Sequence, residues 1–231
     1  MATSKLNSSK LTSGASSFLF VACFGLALPR EAAASPNSRG VEIGIRTGPA
    51  LAVGTVQHVD SETMAPLGKK ISDTTPAQGA FHFDFGLRLV PRFFIGGTLT
   101  TSVGPGSHGV AKCGGANPCA VSTGRIGLLA TLHARPRTHI DPWLGFGPGL
   151  SYLRRTRDVD GTKTIQIASG TDFDLLAGVD FRIFRRIALG PYASAKIGSY
   201  GRIRQNSERE TIADRSVHVW FSTGFRFALI F

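Results

Sequence analysis

The stretch Ser216-Val217-His218-Val219-Trp220-Phe221-Ser222-Thr223-Gly224-Phe225-Arg226-Phe227-Ala228-Leu229-Ile230-Phe231 decides the fold. Its odd positions are Val217, Val219, Phe221, Thr223, Phe225, Phe227, Leu229 and Phe231. Its even positions are Ser216, His218, Trp220, Ser222, Gly224, Arg226, Ala228 and Ile230. The first set is apolar and bulky; the second is mostly small, polar or charged. Successive side chains of a strand point to opposite faces, so a period of two means one long strand between two unlike environments.

The same split recurs upstream. In 41–53, Val41, Ile43, Ile45, Leu51 and Val53 oppose Glu42, Gly44, Arg46 and Gly48. In 80–90, Phe81, Phe83, Phe85, Leu87 and Leu89 oppose His82, Asp84, Gly86 and Arg88. In 93–103, Ile95, Leu99 and Val103 oppose Gly96, Thr98, Thr100 and Ser102, and in 123–134 Ile126, Leu128 and Leu132 oppose Arg125, Gly127, Thr131 and His133. In 142–153, Leu144, Phe146 and Leu150 oppose Trp143, Gly145, Gly147 and Gly149. In 171–183, Phe173, Leu175, Val179, Phe181 and Ile183 oppose Asp172, Asp174, Gly178, Asp180 and Arg182. In 187–200, Leu189, Ala193, Ala195 and Ile197 oppose Tyr192, Ser194, Lys196 and Gly198. These are eight segments of about 10–14 residues. Soluble strands average about 5–6 residues, whereas a tilted membrane strand needs about 9–11.

Connectors alternate between short (90–92, 134–141, 184–186) and long (near 55–78, 105–121, 154–169 and 201–215). That rhythm belongs to an all-β, eight-stranded antiparallel up-and-down transmembrane β-barrel, with tight turns at one mouth and loops at the other. The minority face carries Glu42, Arg46, His82, Asp84, Arg88, Arg125, Asp172, Asp174, Asp180, Arg182, Lys196 and Arg226 among many glycines. Glycine weakens a water-facing strand but makes room for long side chains inside a narrow barrel. The expected arrangement is an interior network of paired charges and a Phe-rich face against lipid, leaving no unpaired backbone. Phe93, Phe94, Trp143, Phe184 and Phe231 near the short turns, and Tyr152 and Tyr200 near the loops, are expected to form interfacial girdles.

The N-terminus reads as an address. Lys5 and Lys10 precede an apolar run from Phe18 to Leu28, then Ala32-Ala33-Ala34. This is a basic region, an apolar core too short for a bilayer and a small-residue cleavage site, so residues 1–34 are expected to be a cleaved signal peptide. Residues 35–40 are a short extension and 41–231 the barrel. Losing Lys5, Lys10, Arg30 and Glu31 turns 26 basic and 15 acidic residues into 23 and 14, a net +9 instead of +11. Cys113 and Cys119 then remain around Gly114-Gly115-Ala116-Asn117-Pro118, and in an exported chain such a pair favours a disulfide over a zinc half-site.

Composition excludes several classes. With 42% apolar residues and 16 Phe the chain is not disordered, and mean hydropathy near zero excludes a polytopic helical membrane protein. For an exported barrel a pI near 10 does not imply nucleic acid. The basic residues fall in two belts. Arg92, Arg135, Arg137, Arg185 and Arg186 lie by the short turns, and Lys69, Lys70, Arg154, Arg155, Arg157 and Lys163 by the loops, where lipopolysaccharide would be met.

The final segment, from Ser222 to Phe231 with Gly224, Phe227, Leu229 and the terminal Phe231, resembles the closing-strand signal of Gram-negative outer-membrane proteins. Pro142-Trp143-Leu144-Gly145-Phe146-Gly147-Pro148-Gly149 resembles a strand of small OmpA- or OmpX-like barrels. The resemblance covers about residues 41–231. It implies recognition of the last strand by the barrel-assembly machinery; outer-membrane location, lipid and lipopolysaccharide as surroundings, and a monomer are the accompanying expectations. It implies no catalytic residue, and no peptidoglycan-binding domain is expected after Phe231.

Catalytic and ligand-binding patterns are weak. Ser216 and His218 with Asp214 invite an acyl-hydrolase reading, but both would face inward, away from a lipid substrate. The His residues lack HExxH spacing, Gly145–Gly149 has no following helix to cradle phosphate, and Asp158-Val159-Asp160-Gly161 has no EF-hand continuation. The expectation is no enzyme, no cofactor and no metal. It is a structural or envelope-interaction barrel with a plugged lumen; a narrow pore and a lipid-A-modifying enzyme are the alternatives.

Overall fold

A computed structural model describes residues 40–54, 77–105, 119–136, 138–159, 162–184, 186–205, 208–211 and 217–231. Its strands are β1 (Gly40–Gly54), β2 (Gln78–Val90), β3 (Phe93–Pro105), β4 (Cys119–His133), β5 (Ile140–Val159), β6 (Thr162–Phe184), β7 (Ile187–Gln205), β8 (Glu208–Thr211) and β9 (Val217–Ile230). Each of β1 to β7 pairs antiparallel with the next, and β9 pairs with both β7 and β1. β1–β7 and β9 therefore close an eight-stranded barrel, and β8 is a short strand added beside the far end of β7. Closure satisfies the backbone in the one sheet form that leaves no edge in lipid.

Two connectors differ from the expectation. Residues 154–169 are not a long loop: β5 runs to Val159 and β6 starts at Thr162, paired up to Val159↔Thr162. Residues 201–215 also include the end of β7 and all of β8. The charge and polarity of these stretches mimic loop composition, but β-ladders formed beyond the lipid tolerate polar residues on both faces.

The polarity of the barrel is inverted relative to a soluble protein. Leu128, Leu144, Phe225 and Leu150 are each more than 60% exposed, while Glu42, Arg46, Asp84 and Arg226 are all under 4%. Along β5 the outward apolar side chains run from Ile140 to Tyr152. At about 3.3 Å per residue and a tilt near 40°, that stretch rises about 30 Å, enough for the hydrocarbon layer.

Prolines interrupt three strands in the same manner. Gly48-Pro49, Gly147-Pro148 and Gly190-Pro191 each put proline on the outer face. The ladder skips there: between Thr47↔Phe225 and Ala50↔Ser222, between Gly127↔Gly149 and Ala130↔Phe146, and between Gly178↔Tyr192 and Phe181↔Leu189. Proline offers no N–H to a ladder. The facing carbonyls of Thr223, Leu128 and Val179 crowd the place a Cβ would take at Gly48, Gly147 and Gly190, so a side chain at any of them would displace backbone.

Candidate functional site

The lumen is filled in layers. Nearest the short turns, Glu42 of β1 accepts from Arg88 Nε of β2 at 2.8 Å and also from Arg226 of β9. Arg226 donates in turn to Asp180 of β6 and lies over the Trp143 ring, 5.0 Å from its centroid. Trp143 Nε1 donates to Asp180 at 3.0 Å. His133 joins Arg88 to Asp141, at 3.2 Å and 2.9 Å. A charge taken out of water is tolerable only with such pairing and hydrogen bonding.

Above this, Arg46 makes a bidentate pair with Asp84 at 2.8 and 2.9 Å and faces the Tyr192 ring. His82 bonds Thr100 Oγ1 at 3.0 Å. Next, Arg125 of β4 donates to Asp172 of β6 at 2.6 Å and to the Gly147 carbonyl at 2.9 Å, beside the break at Pro148. Asp174 lies 3.9 Å from Arg125, and neither of its carboxylate oxygens has a hydrogen-bond partner among the described residues. Lys196 takes the register position opposite Asp174.

Toward the loop end the lumen holds an apolar cluster, with Arg155 and Gln166 buried beside it. Ala52, Val121, Leu153, Ala168, Tyr200, Ile203 and Trp220 form a buried cluster there, and His218 stacks on Tyr200 at 4.2 Å. A register shift at Ser169/Gly170 lets Tyr200 and Ile203, of opposite parity, both face inward.

The structure thus places Glu42, Arg46, His82, Asp84, Arg88, Arg125, Asp172, Asp174, Asp180 and Arg226 in the lumen, each under 7% exposed. Lys196 is less completely buried, and the Arg182 side chain is 21% exposed at 3.8 Å from Asp141. Sequence reasoning missed Asp141, Gln78, Arg155 and Gln166, all of them buried. Each lies in or at the edge of a stretch read as connector; carrying the alternation further along β2, β5 and β6 would have found them. The aromatic girdle needs correction: Phe94, Trp143 and Tyr200 are under 5% exposed, because their parity points them inward, whereas Tyr152, Phe184 and Phe231 are exposed outside. Arg155, expected in a loop, is in the lumen.

Several expectations fall outside the described residues: the signal peptide, Lys69, Lys70, Cys113, Asp214 and Ser216. The expected Cys113–Cys119 bond lies outside them too, and Cys119 is placed by its backbone alone as the start of β4. Of the acyl-hydrolase set, His218 is described, and it is enclosed against Tyr200. Among the described residues no cluster of His, Cys, Asp or Glu could hold a metal.

A closed antiparallel barrel with an apolar outer belt and an ionic interior has the fold of the small outer-membrane β-barrels. Solved structures agree at the level of fold. A major outer membrane protein from Thermus thermophilus matches with a TM-score of 0.51 and 9% identity, over 83% of this chain and 99% of that one. Neisserial surface protein A matches at TM-score 0.46 and 14% identity, over 82% and 97%. OprG from Pseudomonas aeruginosa matches at 0.42 and 12%, over 84% and 98%. No protein-family model and no curated protein matches the chain.

Proposed function

We propose that the chain is an integral outer-membrane β-barrel with a filled lumen, exported through residues 1–34 and assembled through its last strand. Its role is structural, with partners met at the rim and loops of the long-loop mouth rather than by transport through the barrel. The observation that carries this reading is the inversion itself. Arg46, Arg88, Arg125 and Arg226 are buried against carboxylates, while Phe and Leu side chains stand exposed around the wall. In water such a molecule would expose far more contiguous apolar surface than soluble proteins tolerate. In a bilayer the same surface is satisfied.

The test is gel mobility of the outer-membrane fraction with and without boiling. A band whose mobility shifts on boiling is the expected result. Recovery of the protein in the soluble periplasmic fraction would overturn the reading.

A further inference from the structure

The described outward positions of the strands are uncharged from the short-turn end up to Tyr152, and then three arginines appear together. They are Arg154 on β5 and Arg202 and Arg204 on β7, all exposed. Ile167 of β6 pairs with Arg154 on one side and Arg204 on the other, and Ser169 pairs with Tyr152 and Arg202. The register therefore puts Arg154 and Arg204 two strand spacings apart, about 10 Å, and Arg202 about 7 Å along the strand from Arg204. Among the described residues, the strands that stop lower end on outward Val53, Val103 and Val217, and no exposed basic side chain stands beside them.

The local backbone sets this orientation. Lys196, Tyr200, Arg202 and Arg204 share one parity, and Tyr200 is buried in the lumen. The register shift beside Gly201 reverses the alternation, sending Ile203 inward and Arg202 and Arg204 outward. Below Arg154 the outer wall continues with Tyr152 and Leu150, and below Arg202 with Ile197, while Ile167 stands between Arg154 and Arg204 at their own height. On β5 and β7 the exposed side chains thus change from apolar to charged at this height, as they would where acyl chains give way to headgroups.

We propose that this rim is a binding site for a phosphorylated lipid of the surrounding leaflet. Its acyl chains would run down Leu150 and Ile197, and its phosphates would lie among Arg154, Arg202 and Arg204. Guanidinium binds phosphate by paired N–H donors, and a basic cluster beside a membrane surface attracts anionic headgroups. The inference rests on the outer-membrane reading above.

The full chain in phosphatidylcholine nanodiscs, with bisphosphorylated or dephosphorylated lipid A mixed in, tests it by native mass spectrometry of retained lipid. The wild type is expected to retain the bisphosphorylated lipid. The Arg154→Gln/Arg202→Gln/Arg204→Gln variant is expected to lose at least about tenfold of that retention. The Arg92→Gln/Arg135→Gln variant, altered at the other mouth, keeps it. Equal retention by the triple variant, or of the dephosphorylated lipid, overturns the site. So does binding of soluble pyrophosphate without retention of lipid A, which would mark a site for free phosphate. Boiling-dependent mobility is scored on the same samples. A chain that never inserts overturns the outer-membrane reading as well, whereas a chain that inserts without retaining lipid overturns this inference alone.

Discussion

Arg125 on β4 reaches Asp172 on β6, two strands away, by passing across Gly149 of the intervening β5. Its Nε lies 2.6 Å from Asp172 Oδ1. A Cβ built on Gly149 would sit 2.6–2.8 Å from three guanidinium atoms of Arg125. The glycine is thus part of the ion pair. Gly149→Val is expected to break it and to leave two buried charges uncompensated, a loss of about 3–5 kcal/mol. Urea titration of the barrel in detergent, followed by the boiling-sensitive band, measures this. An unfolding midpoint equal to wild type would refute the crossing.

Asp172 and Asp174 face the same arginine but differ in contact. Asp172 accepts from Arg125 directly, whereas Asp174 stands 3.9 Å off with no hydrogen bond to either oxygen among the described residues. Removing a direct charge-assisted bond costs more than removing a carboxylate that makes none. Asp172→Asn should therefore lower the urea midpoint more than Asp174→Asn does. The reverse order would mean that Asp174 is the principal anion of this layer.

The outer wall makes a depth-dependent prediction. Leu128 is 62% exposed near the middle of the outward-facing run of β4, and Ala120 lies outward near its loop end. An arginine at the bilayer midplane of such a barrel costs about 2–4 kcal/mol, falling to about 0–1 near the interface. Leu128→Arg should thus destabilise the folded barrel in phosphatidylcholine vesicles, and Ala120→Arg should leave it nearly unchanged. Equal effects would mean that Leu128 does not face lipid.

The closed barrel was legible in the sequence because parity survives wherever one face meets lipid. Val217 to Ile230 and Phe81 to Leu89 alternate without interruption, and both lie in strands. Parity was lost where lipid no longer imposes it. Residues 154–169 extend a ladder beyond the outward apolar run, so Arg154 outside and Arg155 inside look like loop charges in sequence. The apolar cap of the lumen was illegible for a related reason. Val121, Leu153 and Ile203 are inward residues that a charge-based reading of the interior does not select, and the shift at Gly201 breaks the count for Ile203. The Arg226–Glu42 and Arg88–Glu42 pairs were partly legible: the residues share a face in sequence, but β1–β9 closure is what brings Glu42 and Arg226 together.

The two kinds of filling predict how the barrel conducts. Near the short turns Glu42 is held by two arginines, and Arg226 lies between Glu42, Asp180 and Trp143. At the loop end Leu153, Tyr200, Ile203 and Trp220 belong to one buried apolar cluster, with Arg155 buried beside it. Eight strands leave an interior just wide enough for side chains, so either layer suffices to exclude hydrated ions. Liposomes carrying the wild-type protein should show no conductance above background. Trp220→Ala alone and Glu42→Ala alone should stay silent too, since each leaves the other layer in place. Steps from the wild type would refute the filled lumen. Steps from Trp220→Ala alone would mean that the ionic layer admits ions and that closure resides in the apolar cap.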